Sequence, residues 1–136
     1  MRKIAFIMLA KGKSNRLPKK NKLLFAGKQM FVWNLVKAMK ISKRFYFNSD
    51  DEEMIKIARS YGSKIIKRDK NLLDDDVPSR VLFINSIKQM PSDIDGIMSI
   101  QANSPNLNPN LIKTCFDVMA KNNFDELLTC NEELNI

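Results

Sequence analysis

The chain has 136 residues, 44% hydrophobic and 28% charged, which suits a single domain, residues 1–136, with a core of its own. With no histidine and only two cysteines, it excludes a disulfide framework, a structural zinc site and any histidine-based triad or base. The formal charge of +8, from 23 basic and 15 acidic residues, favours an anionic partner such as a nucleotide, nucleic acid or acidic membrane surface.

The first element is Ile4-Ala5-Phe6-Ile7-Met8-Leu9, an unbroken apolar run that reads as a fully buried strand. It is too short for a secretory leader, and no run approaches the ~20 residues of a membrane span, so a cytoplasmic location is expected. Lys11–Lys22 follows, carrying Lys11, Lys13, Arg16, Lys19, Lys20 and Lys22 and no acid. A basic loop leaving the C-terminal end of a first parallel strand lies where open α/β sheets place ligands, and its cations with the amides near Gly12 suit a polyphosphate.

A well-buried helix is predicted over Met30–Met39, then a strand at Arg44–Asn48. Asp50, with Glu53 three residues on, reads as a capping box opening a helix that bears Met54, Ile57, Ala58 and Tyr61 and stops at Gly62. A strand at Ser63–Lys67, an irregular acidic segment to Asp76, and a helix from Val77 to Gln89 come next, the helix with Val81, Ile84 and Ile87 on one face. Gly96–Ile100 reads as a strand, and Asn108-Pro109 opens a helix striped by Leu111, Cys115 and Met119. Leu127–Cys130 reads as a fifth strand, with both cysteines buried. This alternation predicts a mainly parallel sheet between two helical layers.

Gly12-Lys13-Ser14 resembles the end of a Walker A loop, but Ile7 stands where that motif requires its first glycine, and no dinucleotide fingerprint is present. Any metal must be a hard cation held by oxygens. Asp50 reads as a cap, and Asp74-Asp75-Asp76 as helix-start carboxylates, rather than as ligands.

Residues 10–21, Ala10-Lys11-Gly12-Lys13-Ser14-Asn15-Arg16-Leu17-Pro18-Lys19-Lys20-Asn21, resemble the opening signature of the CMP-acylneuraminate synthetase type of cytidylyltransferase, A-R-G-G-S-K-R-L-P-x-K-N. The similarity continues in register through Leu24–Lys28 with Trp33, Asn48–Met54, Tyr61-Gly62 with Arg68, Asp75–Ser79, and Gln101–Pro105. The resemblance implies a Rossmann-like, three-layer αβα nucleotide-diphospho-sugar transferase fold. It also implies transfer of CMP from CTP to a sugar acid, with release of pyrophosphate. By similarity, Lys11, Arg16 and Lys20 serve catalysis on the triphosphate, while Ala10, Gly12, Ser14, Asn21, Arg68 and Ser79 bind the nucleotide. Gln101, Asn103 and Ser104 would face the acceptor.

The chain departs from the pattern at Lys11 for Arg, Lys13 for Gly and Asn15 for Lys, and the cation expected after the acceptor motif is replaced by Asn106-Leu107. Family members continue into a dimerisation segment and a D-x-D pair that holds Mg2+. The resemblance therefore implies a truncated, N-terminal CTP-binding half, with magnesium ligands and homodimer contacts in later sequence and only Glu132 and Glu133 as weak substitutes. A non-catalytic family remnant and a small basic nucleic-acid-binding domain remain as alternatives. The latter lacks aromatic residues among the basic ones.

Overall fold

The computed structural model describes residues 1–14 and 17–130. Its main sheet comprises β1 (Ile4–Leu9), β4 (Phe45–Ser49), β5 (Lys64–Lys67) and β6 (Gly96–Ser99), in the order β5-β4-β1-β6. All three pairings are parallel, with Phe6 opposite both Phe45 and Met98, and Phe47 opposite Ile65. Residues of β1 alternate between two cores, because successive strand side chains point to opposite faces. Phe6 and Met8 join Phe31, Leu35, Phe47, Met54 and Ile112 beneath α1 (Met30–Ile41), α2 (Glu52–Ser60) and α4 (Pro109–Lys121). Ala5 and Ile7 join Tyr46, Ile66 and Met90, with Phe83 of α3 (Ser79–Ile87) packed against them. The result is the expected three-layer αβα arrangement, and coverage of both faces explains the unbroken apolar run of β1.

Four local expectations are corrected. Asp51, not Asp50, caps α2: its carboxylate accepts the Met54 amide at 2.9 Å. Val81, Ile84 and Ile87 share a face of α3, but that face is the exposed one; Leu82 and Ser86 are buried instead. Apolar residues surround this helix, so its periodicity did not point inward. A short antiparallel hairpin, β2 (Leu24–Phe25) and β3 (Lys28–Gln29), precedes α1 where none was expected. Its two central residues have positive φ, 47° at Ala26 and 87° at Gly27, as a type I′ turn requires. Finally, Leu127–Cys130 is not a strand, and Cys130 is exposed. Leu128 is 79% exposed, so this segment has neither a ladder partner nor a core to hold it extended.

The α4 start follows the sequence closely: Asn108 accepts the Asn110 amide at 2.9 Å and Pro109 occupies the first turn. Among the described residues, no helix is long and apolar enough to cross a membrane.

Candidate active site

The chain runs from β1 outward through β4 and β5, then returns to place β6 on the other side of β1. Loops leaving β1 and β6 therefore diverge at their C-terminal ends, the crevice where such sheets bind ligands. A cleft of about 500 Å3 opens there. The β1 loop lends it Lys11, Lys20 and Asn21; Arg68 comes from the end of β5, Ser79 from the start of α3, and Gln101 and Asn103 from the loop after β6. Leu9, Ile100 and Ala102 contribute apolar lining.

Not every residue chosen from sequence reaches the cleft. Ala10 is buried and its amide extends the β1–β4 ladder to the Asn48 carbonyl, at 2.9 Å. The Gly12 amide donates to Asp50 Oδ1 at 2.9 Å, so a neighbouring carboxylate takes the group that was expected to meet phosphate. Its lack of a side chain serves a different contact: a Cβ there would lie 2.8 Å from Asp51 Cβ and Oδ2. Ser14 Oγ accepts the Leu17 amide at 3.4 Å. Ser104 turns its carbonyl to Asn34 and does not line the cleft. Arg16 and Asn15 lie outside the described residues.

The basic loop is held at several points. Lys22 Nζ bridges Asp51 at 2.7 Å and Glu53 at 3.0 Å, fastening the loop to the N-terminus of α2. Asp51, then Glu53, raise the Lys22 pKa above its ordinary value. Burial alone would raise that of Asp51, but the Lys22 ammonium and the Met54 amide outweigh it and hold the carboxyl low. The Asn21 amide donates to the Lys11 carbonyl at 3.2 Å, and Lys11 itself pairs with Asp75 across the cleft mouth. An adjoining hollow of about 330 Å3 is lined by Lys11, Lys13, Asp50, Asp74 and Asp75.

Arg68 is buried, with Nε donating to Asn48 Oδ1 at 2.8 Å. Burial lowers its pKa and the nearby Asp50 carboxylate opposes that shift, so the guanidinium remains charged. Asn48, quoted from sequence only as part of a motif, and its next partner, Ser86, were not read as supporting the site, nor were Asn34 and Lys37 on α1. Asn34 Nδ2 donates to the carbonyls of Gln101 and Ser104 at 2.8 and 2.7 Å; Lys37 Nζ reaches those of Pro105 and Leu107 at 2.6 and 2.8 Å. Together they set the path of the β6 loop. The available signal was an asparagine amid Phe31, Val32 and Leu35, since a buried amide must find partners.

No three Asp, Glu, His or Cys side chains among the described residues come together as ligands, and the magnesium ligands were expected in later sequence. Asp74 Oδ1 accepts the Asp76 amide at 3.1 Å, and Asp75 faces Lys11. Glu132 and Glu133 lie outside the described residues.

A family model described as cytidylyltransferase matches residues 5–136. This chain belongs to the cytidylyltransferase family. It is 33% identical over 132 residues to the pseudaminic acid cytidylyltransferase of Campylobacter jejuni, covering 93% of this chain and 57% of that protein. To N-acylneuraminate cytidylyltransferase A of Danio rerio it is 28% identical, covering 94% and 30%. The chain thus spans little more than half the first of these relatives and under a third of the second. Its fold is similar to that of a CMP:2-keto-3-deoxy-manno-octonic acid synthetase solved with CTP, with a TM-score of 0.70 at 21% identity over 86% of this chain and 47% of the other. A Mycobacterium tuberculosis protein solved with manganese shares the fold at a TM-score of 0.66 and 16% identity, over 87% of this chain and 60% of that one. Family membership and fold thus agree with the resemblance read from Lys11–Asn21 and the motifs that follow it.

Proposed function

We propose that the chain binds CTP in the cleft beside β1 and directs its α-phosphate to a sugar acid of the pseudaminic or acylneuraminic type, the acids for which its relatives are named. One observation carries this reading: Lys11, Lys20, Asn21, Arg68, Ser79 and Gln101, scattered over four loops, line the same cavity.

In the reaction, the acceptor hydroxyl oxygen bonds to the α-phosphorus and the bond to the β-phosphate's bridging oxygen breaks. Pyrophosphate departs, and the hydroxyl proton is lost to water. Charge grows on the phosphoryl oxygens and the leaving group, so positioned cations and donors are the main requirement. Lys11 and Lys20 supply that charge at the triphosphate end. Arg68, Ser79 and Asn21 offer a fork of donors, a hydroxyl and an amide to a base that presents an exocyclic amine, a ring nitrogen and a carbonyl. Gln101 and Asn103, on the loop that Asn34 and Lys37 shape, face the acceptor side, with Ser104 supporting the turn.

Titration calorimetry with CTP, UTP, ATP and GTP in the presence of Mg2+ tests the nucleotide. We expect CTP to bind at least about tenfold more tightly than the others, a difference of ~1.4 kcal/mol. Equal binding of all four would remove the cytosine assignment. Release of pyrophosphate from CTP with each acid in turn tests the acceptor.

A further inference from the structure

We propose that Asn48 is the positioning residue for Arg68, through a buried relay running from α3 across β4 to the cleft. The inference rests on the reading of Arg68 as a base contact and adds what fixes its orientation. Asn48 Oδ1 accepts Arg68 Nε at 2.8 Å, Asn48 Nδ2 donates to Ser86 Oγ at 2.7 Å, and Ser86 Oγ donates to the Leu82 carbonyl at 2.7 Å. Asn48 and Ser86 are 1% and 0% exposed, so every link is shielded from water that could replace it.

A polar side chain buried in a strand, directly after Phe45-Tyr46-Phe47, is costly unless all its groups are used. Here they are: among the described residues no buried side-chain nitrogen or oxygen lacks a partner. The relay consumes only Nε of Arg68. The Nη groups donate no hydrogen bond to the described residues, while Arg68 lines the cleft. Holding a planar guanidinium by Nε, on an asparagine that is itself held, fixes the plane and the aim of its remaining donors. Ser86 lies two turns along α3 from Ser79 and on the same side of the helix. Both candidate base contacts are therefore referred to one element.

Orientation matters because the discrimination is small in atoms. A guanidinium only donates; cytosine offers N3 and O2 as adjacent acceptors, whereas N3 of uracil carries a hydrogen. A fork fixed in plane meets an acceptor pair in one base and a donor in the other. A loose fork can turn to satisfy either.

The test is the ratio of CTP to UTP affinity, measured by calorimetry on the full chain and three variants, each with its melting temperature. Asn48→Leu keeps the branched shape and removes the acceptor; the CTP preference should fall about tenfold. Asn48→Asp keeps an acceptor for Nε, and its second oxygen can accept from Ser86 Oγ–H in place of the lost Nδ2 donor, so the preference should stay within about twofold of wild type. Ser86→Ala leaves Asn48 beside Arg68 but unanchored, and should cut the preference by roughly three- to fivefold. In nitrogen-resolved NMR, the Arg68 Nε–H should exchange slowly with water in wild type and Asn48→Asp and rapidly in Asn48→Leu, a change that lower stability without loss of the bond would not produce. A folded Asn48→Leu with wild-type preference, or a folded Asn48→Asp without it, overturns the relay. If Asn48→Leu does not fold, an unchanged preference in Ser86→Ala does so. A wild-type chain with no CTP preference instead overturns the base-contact reading, and the relay's role falls with it.

Discussion

The end of the cleft proposed for the base is held by buried hydrogen bonds, whereas the end proposed for phosphate is held by partly exposed ion pairs. Arg68, Asn48 and Ser86 form a chain of neutral and charge-assisted bonds within the packed layers. Lys11 and Lys22 instead meet Asp75, Asp51 and Glu53 near solvent. Buried donors with fixed geometry favour selectivity, because a wrong partner leaves them unsatisfied. Partly exposed pairs exchange partners more readily than buried bonds, which suits the proposed uptake of a polyanion and release of pyrophosphate. The largest mutational effects should therefore fall at the base end and the most salt-sensitive ones at the phosphate end.

Arg68→Ala should produce the largest change. It removes the cleft's fork and leaves Asn48 Oδ1 buried without its donor, so CTP affinity should fall by about 30-fold or more, with a lower melting temperature. Arg68→Lys keeps the charge but cannot hold Asn48 and present a planar fork at once, and calorimetry should place it between alanine and wild type. A lysine variant with full CTP affinity would mean that charge alone matters at this end.

Gly12→Ala comes next. The added methyl would sit 2.8 Å from Asp51, so the cap of α2 and the loop must move apart. The expected cost is about 1–3 kcal/mol in urea unfolding, as for other overpacked sites, with weaker CTP binding because the same loop carries Lys11 and Lys20.

How far the sequence foretold each end follows from the same contrast. The proposed phosphate end was legible, since Lys11 and Lys20 lie on one basic loop directly after an obvious strand. Arg68, Ser79 and Gln101 could be placed because each lies at the end of a strand or the start of a helix, positions that the alternating pattern brings together. The supporting shell was not legible. Whether Asp50 or Asp51 caps α2 depends on which one the Gly12 amide claims. Which side of α3 turns inward depends on Asn48 finding Ser86, a contact 38 residues apart in sequence. The expected strand at Leu127–Cys130 was an apolar run with no neighbouring edge to pair with, a condition that local composition does not contain.

Lys22→Met examines the fastening of the phosphate loop. At neutral pH it should cost on the order of 1 kcal/mol, because the pair is partly exposed and partly screened. Its pH dependence is more telling. Asp51 has a lowered pKa, so its contribution is present above the ordinary carboxylate range and lost as pH falls through the lowered value. Lys22 has a raised pKa, so its contribution is present below the ordinary lysine range and lost as pH rises through the raised value. Urea midpoints measured against pH should show both limbs in wild type, and Lys22→Met should flatten the basic limb and shrink the acidic one. Unchanged limbs would place the loop's anchor elsewhere.

The smallest effect is expected at Asp75→Asn, and its sign is the opposite of the others. Asp75 pairs with Lys11 and on the proposed reading competes with a triphosphate for it, so neutralising it should strengthen CTP binding by about two- to fourfold at low ionic strength. The gain should vanish near 0.5 M salt, where the screening length falls to roughly 4 Å. The charge change also spares any incoming polyanion the repulsion of one carboxylate, so part of the gain would appear with any nucleoside triphosphate. CTP, UTP and ATP should therefore benefit alike. A gain confined to CTP would instead assign Asp75 to the base end and dissolve the division between the two halves of the cleft.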